Sequence, residues 1–132
     1  MDAWRLPEYN AAAWEMEKLP VGFGGVGSPG VEWSTELADM QSSYSSVFLR
    51  REFEVAPGEI PSVLQLGYII DDGIVVWING TEVFRLNVTG EPSFDTVASA
   101  SSKESNTLTK TEVTGVAGAF REGTNVIAIQ AF

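Results

Sequence analysis

Asp71 and Asp72 stand side by side ahead of Gly73, and adjacent carboxylates of this kind suit two jobs. Hard oxygen ligands can hold Ca²⁺, and the same oxygens accept hydrogen bonds from sugar hydroxyls. A third job is structural: an aspartate can bond its own backbone and cap a turn. Nothing near them follows EF-hand spacing. Trp4, Trp14, Trp33 and Trp77 are the side chains able to stack on the apolar face of a sugar ring. Trp33, with Tyr44 nearby in an irregular segment, reads as the best candidate for an exposed platform.

The chain contains no histidine and no cysteine. Ser-His-Asp and Cys-His nucleophile systems are therefore excluded, as are zinc sites built from thiolate or imidazole. A glycosidase would need two carboxylates set across a cleft at a defined separation. Eighteen acidic residues make some such pair inevitable by chance, and nothing in the sequence orders one of them. The expectation is a chain that is not an enzyme, with Ca²⁺ at Asp71 and Asp72 as its only candidate cofactor.

The net charge of −10 bounds the partners. A nucleic-acid binder needs a basic face to displace counterions from phosphates, and eight Lys and Arg do not supply one. No apolar run approaches the ~20 residues that span a bilayer. Met1-Asp2-Ala3-Trp4 has neither a basic nor an apolar leader region, so the start reads as a mature or engineered terminus.

At 132 residues the chain fits one domain, 1–132. Val47–Val55 sets Leu49, Phe53 and Val55 against Arg50, Glu52 and Glu54, a strand pattern. Leu64, Leu66, Tyr68 and Ile70 alternate on one face of the next strand. Ile74–Ile78 is β-branched around Trp77, and Asn79-Gly80 is the signal of a two-residue hairpin returning through Thr81–Leu86. Trp77 shares its face with Val75 and Asn79, so its ring lies on an exposed sheet face or under a covering loop. A glycine-rich loop spans Pro20–Gly30, with no lysine-serine or lysine-threonine end to make it a phosphate loop. Residues 90–106 read as a long loop, Leu108–Val113 as a weak strand, Gly115–Phe120 as one helical turn, and Asn125–Phe132 as an apolar strand. Short turn-bounded strands without a helix of two turns mean a β-sandwich.

Asp71-Asp72-Gly73-Ile74-Val75-Val76-Trp77-Ile78-Asn79-Gly80-Thr81-Glu82-Val83 resembles the hairpin segment of galactose-binding-domain-like jelly-roll modules. Arg85-x-Asn87, then Gly90, Phe94 and Thr96-Val97-Ala98, keep that family's order. Trp14 followed by Leu19-Pro20-Val21-Gly22-Phe23-Gly24 is similar to its tryptophan and glycine signature. Phe48–Phe53 and Gly123–Ile129 are similar to two further strands. Such modules occur in large bacterial secreted and surface proteins, beside calcineurin-like phosphoesterase, CotH-like and lamin-tail domains. The resemblance implies an all-β jelly-roll β-sandwich excised from a larger secreted or cell-surface bacterial protein. It implies an accessory module without catalysis, binding carbohydrate or packing as a spacer against neighbouring domains.

The candidate ligand-binding set is then Trp33, Tyr44, Asp71, Asp72, Trp77, Arg85 and Asn87. Phe132 stands where the family often has histidine, and its members usually continue into one more strand. With that strand lacking, Asn125–Phe132 would present an open apolar edge, and self-association through it is expected.

Overall fold

Among the described residues, alternation of apolar and polar residues, or for Ile74–Ile78 an unbroken apolar run, produces six long strands. In the computed structural model these are β3 (Val47–Val55), β4 (Val63–Tyr68), β5 (Ile74–Ile78), β6 (Thr81–Leu86), β7 (Thr109–Thr114) and β8 (Gly123–Ala131). Two short pieces, β1 (Val21–Gly22) and β2 (Thr35–Glu36), pair in parallel. The structure describes residues 3–24, 32–102 and 107–132. Residues 25–30 of the glycine-rich loop and 103–106 of the serine-rich loop lie outside the described residues.

The long strands form antiparallel sheets, a four-stranded one in the order β3-β8-β5-β6 and a two-stranded one of β4 and β7. Among the described residues only single 3-10 turns, at Ala3–Arg5 and Ala117–Ala119, interrupt this all-β, sandwich-like arrangement. Among the described residues no helix is long and apolar enough to cross a membrane.

β8 corrects one expectation. It is bonded on both sides, Val47 to Val55 pairing with Ala131 to Gly123 and Ile74 to Ile78 with Ala131 to Ile127. It is a central strand, not an open edge, and the self-association argued from that edge loses its basis. Its two apolar faces are what a strand needs when both are covered. Phe132 continues the register: its N–H donates to Gly73 O at 2.8 Å, and its carbonyl accepts from Asp72 and Gly73 N–H.

Val75, Trp77, Val126, Ala128 and Phe132 share one face of the sheet and are buried, with Val88 joining from the loop after β6. The N-terminal segment covers them. Trp4 meets Trp77 edge-on at 5.7 Å and Phe48 at 5.1 Å. The Arg5 guanidinium lies 3.8 Å from the centre of the Trp77 ring and pairs with Glu91 at 3.0 Å. On the opposite face Ile74, Val76 and Ile78 are buried, and Tyr68 of β4 meets Phe84 of β6 at 5.3 Å.

The β5–β6 turn takes the expected form, with Asn79 at φ 51° and Gly80 at φ 84°. Both values lie in the left-handed region that a type I′ turn requires. A Cβ on Gly80 would also stand 2.7 Å from Leu6 Cδ2. Gly80→Val should therefore cost about 1–3 kcal/mol, since a β-branched residue is strained there. An unchanged urea midpoint for this variant would count against the turn's part in stability.

Candidate functional site

Where β3 begins at the sheet edge, aromatic residues from three separate segments line one depression. A cavity of about 370 Å³, open to solvent, is lined by Trp14, Leu37, Tyr44, Ser46, Val47 and Phe48. That volume falls at the small end of the roughly 300–1,000 Å³ common for ligand sites.

Each wall has its own support. The Asn10 side chain accepts from the Ala12 N–H at 3.0 Å, and the Trp14 N–H closes a turn onto Ala11 O at 2.9 Å. These bonds fix the chain around Trp14. Its ring then stacks on Trp4 at 6.0 Å and 29°, and Trp4 in turn leans on Trp77. Indole stacking thus ties this irregular segment to the core. Leu37 is placed by its N–H, which donates to Gly22 O at 2.7 Å, and successive turns from Leu37 through Met40 carry the chain round to Tyr44. The Tyr44 hydroxyl donates to Asp39 Oδ1 at 2.8 Å, a bond that holds the phenol above its ordinary pKa. Ser46 donates to Phe94 O and accepts from Nε2 of the fully buried Gln130, each at 3.0 Å.

The arrangement offers flat apolar ring surface beside a phenol and a carboxylate. Rings bind the CH-rich face of a sugar, while the polar groups exchange hydrogen bonds with its hydroxyls. A second depression, around Gly67 of β4 and Leu108 just before β7, has no aromatic ring in its lining.

The residues singled out from sequence are dispersed. Tyr44 lies in the groove. Trp33 is half-buried against the chain at Gly22, where an added Cβ would approach its ring to 2.8 Å. Trp77 is 2% exposed, so the structure makes it a core residue and not a platform. Arg85 grips both Glu82 oxygens at 2.7 and 2.8 Å and donates to Gly90 O at 2.6 Å, which fastens the turn after β6. This hydrogen-bonded pairing holds the Glu82 carboxyl below its ordinary pKa.

Asp72 and Asn87 do come together. Asn87, at φ 53°, donates to Asp72 O and to Ser102 Oγ, each at 3.0 Å. The Asp72 carboxylate accepts from the Ser102 N–H at 2.8 Å. Asp71 is exposed beside them. The Asp72 carboxylate thus latches the distant chain at Ser102, a different job from capping its own turn. Among the described residues no three Asp, Glu, His or Cys side chains are grouped to hold a metal ion. If Asp71 and Asp72 hold Ca²⁺, EDTA should lower the melting temperature and Ca²⁺ should restore it. Insensitivity to both would leave the aspartates a structural role alone, and Asp72→Ala should lower the melting temperature in either case by releasing the latch.

Sequence reasoning named Trp14 as able to stack but did not place it with Tyr44, and it took Phe48 only as part of a strand. No spacing links Trp14, Leu37, Tyr44 and Phe48; the fold alone gathers them. Comparison with protein-family models, curated proteins and solved structures gave no match.

Proposed function

We propose that this chain is a non-catalytic carbohydrate-binding module of the galactose-binding-domain-like jelly-roll type, belonging to a secreted or cell-surface bacterial protein. The groove of Trp14, Tyr44 and Phe48 is its ligand site. The observation that carries this reading is the open aromatic groove with Asp39 bonded to the Tyr44 hydroxyl at its side. Resemblance of the hairpin segment to that family supports the fold type and the setting.

A spacer role is favoured by a different observation. Phe94 and Val97 are 73% and 67% exposed on a loop held to the start of β3 by Ser45 and Ser46. A neighbouring domain would cover that apolar surface.

A glycan array, with and without Ca²⁺, followed by calorimetric titration of the hits, separates the two. The expected result is binding that falls about ten-fold or more in Tyr44→Ala, because an aromatic contact contributes on the order of 1 kcal/mol beyond the area it buries. Trp14→Phe, which retains a ring to stack on Trp4, should weaken binding by a smaller factor with little change in melting. Absence of binding to every glycan would leave the spacer reading in place.

A further inference from the structure

Resting on that glycan reading, we propose that the groove selects uncharged sugars and rejects their uronic-acid counterparts. None of the six lining residues is cationic. Arg50 follows closely on Phe48 along β3, yet its guanidinium is committed elsewhere. It donates to the carbonyls of Leu6, Pro7 and Tyr9 and pairs with Glu52 at 3.0 Å, with only 5% of its side chain exposed. Arg5, Arg85 and Arg121 are each engaged by a carboxylate, at Glu91, Glu82 and Glu8.

The negative side is well supplied. Asp39 stands against Tyr44, Glu15 follows Trp14, Glu36 precedes Leu37, and both glutamates are exposed. The chain as a whole carries −10. A sugar carboxylate entering this groove would give up water for apolar ring surface and meet like charge, with no cation among the six lining residues to compensate. A hydroxymethyl group in the same place carries no charge to desolvate. The CH face of the ring, which the aromatic walls engage, is common to both. Selection therefore falls on charge.

The test is a calorimetric titration of the whole chain with matched hexasaccharides that differ only at C6. β-1,4-Mannohexaose against β-1,4-mannuronate hexamer and β-1,4-glucohexaose against β-1,4-glucuronate hexamer serve as pairs, at low and at physiological salt. At least one neutral member should bind, with its uronate at least ten-fold weaker, and salt should narrow the gap by screening. Asp39→Asn keeps an acceptor for the Tyr44 hydroxyl while removing the charge, and it should narrow the gap as well; a melting curve verifies its fold. Uronates binding as well as neutral sugars would overturn the selectivity and leave the glycan reading standing. No binding by any member would overturn the selectivity, the glycan reading falling only if the whole array is also blank, and an unchanged gap in Asp39→Asn would remove Asp39 from the explanation.

Discussion

Replacing Asn125 by leucine should destabilise the fold by roughly 3–5 kcal/mol, a large share of the ~5–15 kcal/mol that holds a domain together. Asn125 is fully buried and its amide serves four partners. Oδ1 accepts from Asn79 Nδ2 at 2.7 Å and from the Arg121 N–H at 2.9 Å. Nδ2 donates to the carbonyls of Arg121 and Gly123 at 2.7 and 2.8 Å. Asn79 completes the network by donating to Ala119 O and accepting from the Val126 N–H, each at 2.9 Å. The hairpin asparagine thus sets the β5–β6 turn and also ties it to the start of β8.

Leucine leaves several backbone groups without partners, each costing about 1–3 kcal/mol when kept from water. The total falls short of their sum because the turn can open to solvent. Thermal unfolding should shift down by more than 10 °C, at about 3–5 °C per kcal/mol for a chain of this size. Asn79→Gly provides the contrast, since it keeps the turn geometry and loses the amide. The two changes should be strongly non-additive, as expected for members of one network. A loss below 1 kcal/mol in Asn125→Leu would show that the network does not hold the turn.

Trp77→Ala should cost about 3–5 kcal/mol by urea unfolding, the range for removing a large aromatic side chain from a packed core. The ring fills the space between Val75, Val126 and the N-terminal segment, and Arg5 rests on its face. Losing it leaves a cavity and strips Arg5 of a cation–π contact contributing on the order of 2 kcal/mol when desolvated. Trp77→Phe, which retains a ring, should cost markedly less. Arg5→Met paired with Trp77→Ala in a double-mutant cycle should show coupling. Equal losses in the Phe and Ala variants would mean that the face of the ring is not what matters.

The strands were legible because their signals are local. β3, β5 and β6 follow directly from alternation and from Asn79-Gly80, which closes the turn within the chain's immediate neighbourhood. β8 was legible as a strand but not as a central one, because its neighbours lie far away in sequence. The place of Trp77 stayed open for a related reason: the segment covering it, Ala3–Arg5, has no periodicity to announce what it packs against. Arg50 read as outward-facing by alternation, yet the chain at Leu6–Tyr9 folds over it and supplies carbonyls to its guanidinium. The groove was the least legible element. Its rings come from an irregular segment, a loop and a strand, and only the folded chain brings them together.

The central place of β8 also fixes an order of events. Val47 pairs with Ala131 and Val55 with Gly123, so β3 finds its strand partner only across most of the chain. β5 and β6 can close their hairpin as soon as Leu86 exists, but β3 has nothing to join until β8 is present. Loop closure of this length costs entropy before any contact repays it, which slows folding. During synthesis β3 therefore emerges well before its strand partner. The four-stranded sheet closes only when β8 enters between β3 and the β5–β6 hairpin.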